Sequence, residues 1–321
     1  MSLSGSFRVI TCCALAVAFL LPAAGCGTKK KGKKGLTIAQ LKEKAEKETA
    51  PDRKAAAYLK IAAQQFSSGD KTGAKASAEE ALKALVDKDG KPTGEANQLA
   101  PRIVEVADTF ALVGDKKQAR KAVEAATADD YVNTIEDTVR KTQVLAEAGG
   151  IYGDKAKGIG DSGKAKELLA KANEVAGAAD ERFRADALAA VALGYIRSGL
   201  AKEAGDMVNT LVEAAKGLEQ PRAKAEALAA AANVKAQTGA KDEAKELLKE
   251  AAEAAKSVER ADGKAFALIA IAIATEASGD VKKALSLLKE ADKAANKASE
   301  PDTQKMLVEK VNKLTMEFSK K

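Results

Sequence analysis

The sequence predicts an all-α protein, an α-solenoid of six helix-turn-helix repeats, from its composition and from one recurring spacing. The 321 residues are rich in alanine, lysine, glutamate and leucine and contain 3% aromatic residues, as is typical of long helices. Six times a glycine is followed five residues later by an alanine, and the glycines stand 45, 46, 39, 40 and 40 residues apart. Such a period indicates stacked units. The six pairs are Gly69/Ala74, Gly114/Ala119, Gly160/Ala165, Gly199/Ala204, Gly239/Ala244 and Gly279/Ala284.

Each unit is predicted to begin with a helix, helix A, that precedes its glycine. In five units an alanine stands seven residues before the glycine and a large apolar residue eleven before it. Positions four apart lie on one helix face. The alanines are Ala62, Ala107, Ala192, Ala232 and Ala272, and the large residues are Tyr58, Ile103, Leu188, Leu228 and Leu268.

A second helix, helix B, is predicted after each glycine. Apolar residues recur five, nine and twelve positions after the glycine, and in unit five these are Ala244, Leu248 and Ala251. Steps of four and three place them on one face, and the small residues let the axes of helices A and B approach closely.

This pattern resembles the tetratricopeptide repeat over roughly residues 51–297. The shared features are a small residue in helix A, a glycine at the turn and two alanines seven apart in helix B. Aspartate follows the glycine in four units, at Asp70, Asp115, Asp161 and Asp280. The units are longer than the usual repeat of about 34 residues, and the aromatic residue four before the glycine is kept only at Phe110 and Tyr195. The resemblance implies a solenoid that binds proteins.

Two insertions and two ends complete the predicted solenoid. Residues 87–95 form a turn-rich loop after unit one. The segment from Gly153 to Gly158 is expected to interrupt helix A of unit three. Thr37 and Gln40 predict a capping box that opens a short leading helix. Four apolar residues at helical spacing behind Pro301 predict a helix that caps the stack. They are Leu307, Val311, Leu314 and Phe318.

The first 26 residues have the parts of a secretory signal peptide. Arg8 supplies a positive charge, residues 9–21 are apolar, and small residues precede Cys26. The segment 23–26, Ala-Ala-Gly-Cys, resembles a bacterial lipobox, with Ala23 where that motif usually has leucine. This resemblance implies an exported lipoprotein that is anchored in a membrane by lipid on Cys26 and faces the periplasm or the cell exterior. Ordinary secretion and an uncleaved anchor are the alternatives.

The formal charge of +7 lies almost entirely in the N-terminal segment. Residues 1–34 hold six basic residues and no acidic one, which leaves +1 for residues 35–321. A nucleic-acid-binding protein spreads positive charge over its folded region, so no nucleic-acid partner is expected. The chain thus divides into a signal peptide (1–25), a lipidated Lys/Gly tether with the leading helix (26–50), the solenoid (51–297) and the capping helix (298–321).

The sequence contains no complete catalytic motif and no complete cofactor-binding motif. All three cysteines precede residue 27 and the chain has no histidine, which excludes thiol–imidazole pairs and zinc or haem sites that use these ligands. Residues 158–165 match a phosphate-binding loop except that Ala165 replaces the magnesium-binding hydroxyl, so no nucleotide is expected. An EF-hand loop with Gly90 at its sixth position would run from residue 85 to residue 96. It would need ligands at both ends, where this chain has Leu85 and Ala96. No metal and no cofactor is expected.

A candidate partner groove follows from the repeat resemblance. It implies that positions thirteen, ten, six and three before the glycine face the concave side. The large apolar residues at these positions are Leu59 and Phe66 in unit one, Leu193 and Ile196 in unit four, and Phe266, Ile269 and Ile273 in unit six. Either neighbouring A helices cover them in a tight superhelix, or they line a groove for an apolar or amphipathic segment of a partner.

The expected function is therefore that of a non-catalytic, membrane-tethered envelope protein that binds a protein partner. By analogy, bacterial lipoproteins with such repeats resemble components of outer-membrane assembly, pilus biogenesis and cell-wall enzyme regulation. Two alternatives stay open. One is a passive structural spacer, and the other is a carboxylate-dependent cell-wall enzyme with a helical superstructure.

Overall fold

The computed structural model describes residues 36–320, apart from the side chain of Arg182. The predicted signal peptide, the lipidation site at Cys26 and most of the tether lie outside the described residues. Within residues 36–320 the chain forms fifteen helices and no strand, which confirms the predicted all-α solenoid. The helices are α1 Ile38–Glu46, α2 Pro51–Ser67, α3 Lys71–Leu85, α4 Ala96–Val113, α5 Lys116–Thr127, α6 Asp129–Val132, α7 Thr138–Gly153, α8 Ser162–Gly177, α9 Glu181–Arg197, α10 Ala201–Gly217, α11 Pro221–Gln237, α12 Lys241–Lys256, α13 Ala261–Ala277, α14 Val281–Ala295 and α15 Pro301–Phe318.

The six repeat glycines all form the turn between helices A and B. Their φ angles lie between +70° and +96°, in the left-handed region that a residue without a Cβ enters at little cost. In the four units where aspartate follows the glycine, its carboxylate accepts a hydrogen bond from the backbone N–H three residues on. The glycine therefore ends helix A, and the aspartate caps helix B.

The repeat alanines lie at the crossing of the two helices. All six alanines five residues after the glycines are fully buried. Helix A of each unit packs on its own helix B, in the pairs α2/α3, α4/α5, α7/α8, α9/α10, α11/α12 and α13/α14. Because a larger side chain has no space at such a crossing, these alanines set the distance between the helices.

The A helices form one contiguous layer. Each packs on the next, in the order α2, α4, α7, α9, α11 and α13, and α15 then covers the free end of α13. Each B helix instead contacts its own helix A and the next one, so the B helices splay apart on the outer side. The A layer is therefore the concave face of the solenoid.

Ion pairs connect successive outer helices. Three basic residues, each six positions after a repeat glycine, pair with a carboxylate near the start of the next helix B. The pairs are Lys75–Asp115 at 2.8 Å, Arg120–Asp161 at 3.2 Å and Lys166–Glu203 at 2.8 Å. Such exposed pairs contribute little stability. They join the outer helix of each unit to that of the next unit.

Both predicted ends are present. Thr37 and Gln40 form the capping box at the start of α1. The four apolar residues of α15 are buried against the last unit. This amphipathic helix therefore covers the apolar end of the stack.

The insertion in unit three differs from the prediction. Helix α7 is not interrupted; it continues to Gly153, and residues 154–161 form a loop before α8. Gly153 lies against Ser198 of the next unit so closely that an added Cβ would stand 2.4 Å from the Ser198 Cβ. The glycine thus serves close packing rather than a break. A short helix, α6, also stands between units two and three without a signal in the repeat pattern.

The alanine crossings generate a stability prediction. Replacing Ala204, which is fully buried, by leucine should destabilise the protein by about 1–3 kcal/mol, because the crossing cannot accept three more carbon atoms. Ala201→Leu, at an exposed position of the same helix, is the matched control and should change the melting temperature little. Equal melting temperatures for the two variants would show that Ala204 does not set the crossing.

Candidate functional site

A cavity of about 430 Å³ opens on the concave layer and is called the groove below. Its walls come from four consecutive A helices, α7, α9, α11 and α13, with Lys310 of α15 at its edge. A volume of this size is in the range of ligand pockets.

Five of the seven predicted groove residues line this cavity. Leu193 and Ile196 come from α9, and Phe266, Ile269 and Ile273 come from α13. Ile269 is 1% exposed and lies at the bottom, whereas the other four are partly buried and reach the opening. The two sets face each other across α11.

Leu59 and Phe66 lie elsewhere. They belong to α2, which is separated from α7 by α4, and neither lines the groove. Both are partly buried. The structure therefore gathers the predicted residues of units four and six, but not those of unit one.

A charged cluster lies at the α7 side of the groove. The Arg197 guanidinium pairs with Asp108 of α4 and stands 3.8 Å from Asp154. Glu147, which also lines the groove, forms no ion pair within 4 Å with a described residue. Burial raises the pKa of Glu147 to about 7; the neighbouring carboxylates Glu105 and Asp108 contribute to the rise, and Arg197 opposes it.

A second cluster lies between α9, α11 and α13. Arg222 donates a hydrogen bond of 2.8 Å to Glu226 and covers the ring of Phe266, with the guanidinium carbon 4.4 Å from the ring centre. Burial raises the pKa of Asp186 to about 6; Glu226 contributes to the rise and Arg222 opposes it. Asp186, like Glu147, has no ion-pair partner within 4 Å among the described residues.

The repeat pattern predicts the apolar residues of the groove, whereas these charged residues were not predicted. Asp186 and Glu226 stand thirteen residues before Gly199 and Gly239, at a position already expected to face inward. That position was the available signal. Glu147 likewise stands thirteen residues before Gly160, so the same position indicates all three carboxyl groups.

The groove combines apolar side chains with charged and amide groups. Two of its four carboxyl groups, Glu147 and Asp186, form no ion pair within 4 Å among the described residues. Among the described residues, no group of three histidine, cysteine or carboxylate side chains is placed to hold a metal ion. Within residues 36–320 no helix has both the length and the apolar character needed to cross a membrane.

No protein-family model and no curated protein matches the chain in sequence. Solved structures resemble it in overall helical architecture. A Rap protein in complex with competence and sporulation factor has a TM-score of 0.38 and 15% identity, over 88% of this chain and 80% of that one. Ton1535 from Thermococcus onnurineus NA1 has a TM-score of 0.30 and 16% identity, over 86% and 84%. Acl4, the assembly chaperone of RpL4, has a TM-score of 0.33 and 15% identity, over 83% and 98%. With TM-scores this low, none of these structures bears on the function of this chain.

The partly buried carboxyl groups of Glu147 and Asp186 predict how stability depends on pH. The pKa of Glu147 rises from an ordinary 4.5 to about 7 on folding, so the folded state holds the proton more tightly than the unfolded state. This contribution is complete below pH 4.5 and is lost as the pH rises through 7, a change of at most about 3 kcal/mol. Asp186 acts in the same direction at slightly lower pH.

Glu147→Gln should therefore flatten the fall in the urea midpoint between pH 5 and pH 8. Glu246→Gln, at an exposed position of α12, is the control and should keep the slope of the wild type. The same slope in Glu147→Gln and in the wild type would contradict the assigned environment of Glu147.

Proposed function

We propose that this protein is a non-catalytic envelope lipoprotein, tethered to a membrane through Cys26, that binds a segment of a protein partner in the groove. The lipobox-like segment and the lysine-rich tether support the membrane anchor. The arrangement of apolar side chains on the concave layer supports the binding role.

The observation that carries the binding role is a set of large apolar side chains that remain partly exposed around one cavity of the concave layer. Phe266, Ile273, Leu193 and Ile196 remain partly exposed around the buried Ile269. Apolar side chains clustered in a concavity are typical of surfaces where a few residues dominate binding. An extended or helical segment lies along such a groove by burying its own apolar face.

The two alternatives predict a different concave layer. A passive spacer would bury these side chains between A helices, and only Ile269 among the five is fully buried. A carboxylate-dependent enzyme gains one supporting observation, since a pKa near 7 suits Glu147 to general acid catalysis. The lining also holds eight alanines and five large apolar side chains, however, and this apolar share favours the binding of an apolar segment.

Position-specific crosslinking tests the groove in membranes of the source cells. A photo-crosslinking amino acid in place of Phe266 should capture a partner, whereas the same group in place of Met316, which is 63% exposed on α15, should not. Ile273→Gln should reduce that capture at least fivefold, because groove side chains contribute more to binding than to folding.

The stability of Ile273→Gln separates the open groove from a closed one. In an open groove the glutamine amide stays in water, and the melting temperature should change by no more than about 3 °C. In a closed interior the unpaired amide would cost about 1–3 kcal/mol. A large loss of stability with capture retained would reject the groove as the binding surface.

The anchor is tested by metabolic labelling with a tagged fatty acid. The wild type and Cys12→Ala should be labelled, whereas Cys26→Ala should not, because Cys26 alone joins a signal-peptide boundary to a hydrophilic tether. Cys12→Ala serves as the control for loss of a thiol. Equal labelling of Cys26→Ala and the wild type would remove the lipoprotein assignment.

A further inference from the structure

The two arginine side chains that line the groove are already engaged. Arg197 is held by Asp108 and Asp154. Arg222 is held by Glu226 and by the ring of Phe266. Among the described residues, two carboxylates that line the same cavity form no ion pair within 4 Å, Glu147 on α7 and Asp186 on α9.

The two lysines that also line the groove do not compensate for these carboxylates. The charges that influence Glu147 are Glu105 and Asp108 from α4 and Arg197 from α9. Those that influence Asp186 are Glu226 and Arg222 from α11. Among the described residues, neither lysine forms an ion pair within 4 Å with either carboxylate. Glu147 thus has two acidic neighbours and one arginine, and Asp186 has one acidic neighbour and one arginine.

We propose that the groove binds a peptide segment in which lysine or arginine side chains are interspersed with apolar ones, the cations pairing with Glu147 and Asp186. The apolar side chains would pack on Phe266, Ile273 and Leu193. This inference rests on the proposed function and specifies its partner by chemistry. Residues 35–321 carry a net charge of only +1. The attraction of a cationic segment must therefore come from the carboxylates of the groove and not from the overall charge.

The geometry also sets the spacing of the cations. Gly194 of α9 touches the backbone of α7, since an added Cβ would stand 2.7 Å from the Ala146 carbonyl oxygen. Asp186 precedes Gly194 by eight residues, which is about 12 Å along a helix axis. Neighbouring helix axes lie about 8–10 Å apart. Glu147 and Asp186 are therefore separated by about 15 Å, a distance that an extended peptide spans in four or five residues.

A cation bound at Glu147 or Asp186 gains more binding free energy than it would at an exposed carboxylate. Glu147 and Asp186 both resist ionisation in the free protein, and a bound ammonium or guanidinium group removes that resistance. Binding should therefore tighten as the pH rises from 5 to 8, by up to tenfold per pH unit for each carboxyl group that ionises on binding.

The test is selection from a phage-displayed library of random 12-residue peptides. The bait proteins are the wild type, the double variant Glu147→Gln/Asp186→Asn and the control Glu246→Gln/Glu253→Gln, which removes the same charge from exposed positions of α12. Peptides selected on the wild type and on the control should be at least threefold enriched in lysine and arginine, with two such residues four or five positions apart. The double variant should lose this enrichment.

A synthetic peptide from the wild-type selection gives the quantitative measurement. Its dissociation constant should rise at least tenfold with the double variant, and equally when its lysines are replaced by norleucine. The pH dependence should vanish in the double variant. Thermal melts of all bait proteins show whether each is folded.

Each outcome decides between the two proposals. Enrichment that is absent, or unchanged in the double variant, overturns the cationic partner. Uncharged apolar peptides that bind all baits and are lost in Ile273→Gln would retain the groove and reject its charge preference. No enriched peptide on any bait would overturn both the cationic partner and the peptide-binding groove.

Discussion

The close crossing of helices A and B, fixed by a left-handed glycine and a buried alanine, is the constraint on which the rest of this structure depends. The glycine reverses the chain within a short turn, and the alanine five residues on lets the returning helix approach. Once the two axes are this close, the large side chains on the same faces have space only toward the next unit. Stacking then follows, because one unit alone cannot bury its apolar surface.

The polar residues of the turn vary between units in a way that coincides with the groove. Asp70, Asp115, Asp161 and Asp280 cap their B helices, whereas Leu200 and Ala240 leave α10 and α12 without a side-chain cap. A missing cap costs about 0.5–2 kcal/mol. Unit four also has Gly205 where three other units have the lysine or arginine that pairs with the next unit. Two of the four B helices behind the groove, α10 and α12, thus lack the N-terminal cap that the other B helices have.

The sequence was sufficient for features that carry a signal of their own, repeated or local. Turns and buried alanines could be predicted because six copies carry the same pattern, both end helices because of a capping box and an amphipathic spacing, and five of seven groove residues by register. The course of helix α7 could not, since the glycines at 153 and 158 indicated an interruption, whereas the helix continues to Gly153 and the loop follows it. Leu59 shares its register with Ala189, Ala229 and Ile269, but which A helices surround a cavity depends on side-chain sizes in neighbouring units. Register alone does not contain that information.

Those sizes account for the position of the groove. At the inward positions ten and six before the glycine, α9 has Ala189 and Leu193, and α13 has Ile269 and Ile273. Helix α11 has Ala229 and Asn233 there, so it is a thin helix between two thicker ones. The space that larger residues would fill becomes the cavity, and the neighbouring leucine and isoleucine side chains become its walls. The same thinness brings Arg222 and Glu226 of α11 within reach of α9 and α13, where they engage Phe266 and influence Asp186. One helix of small residues thus produces both the apolar volume and the charge pattern of the groove.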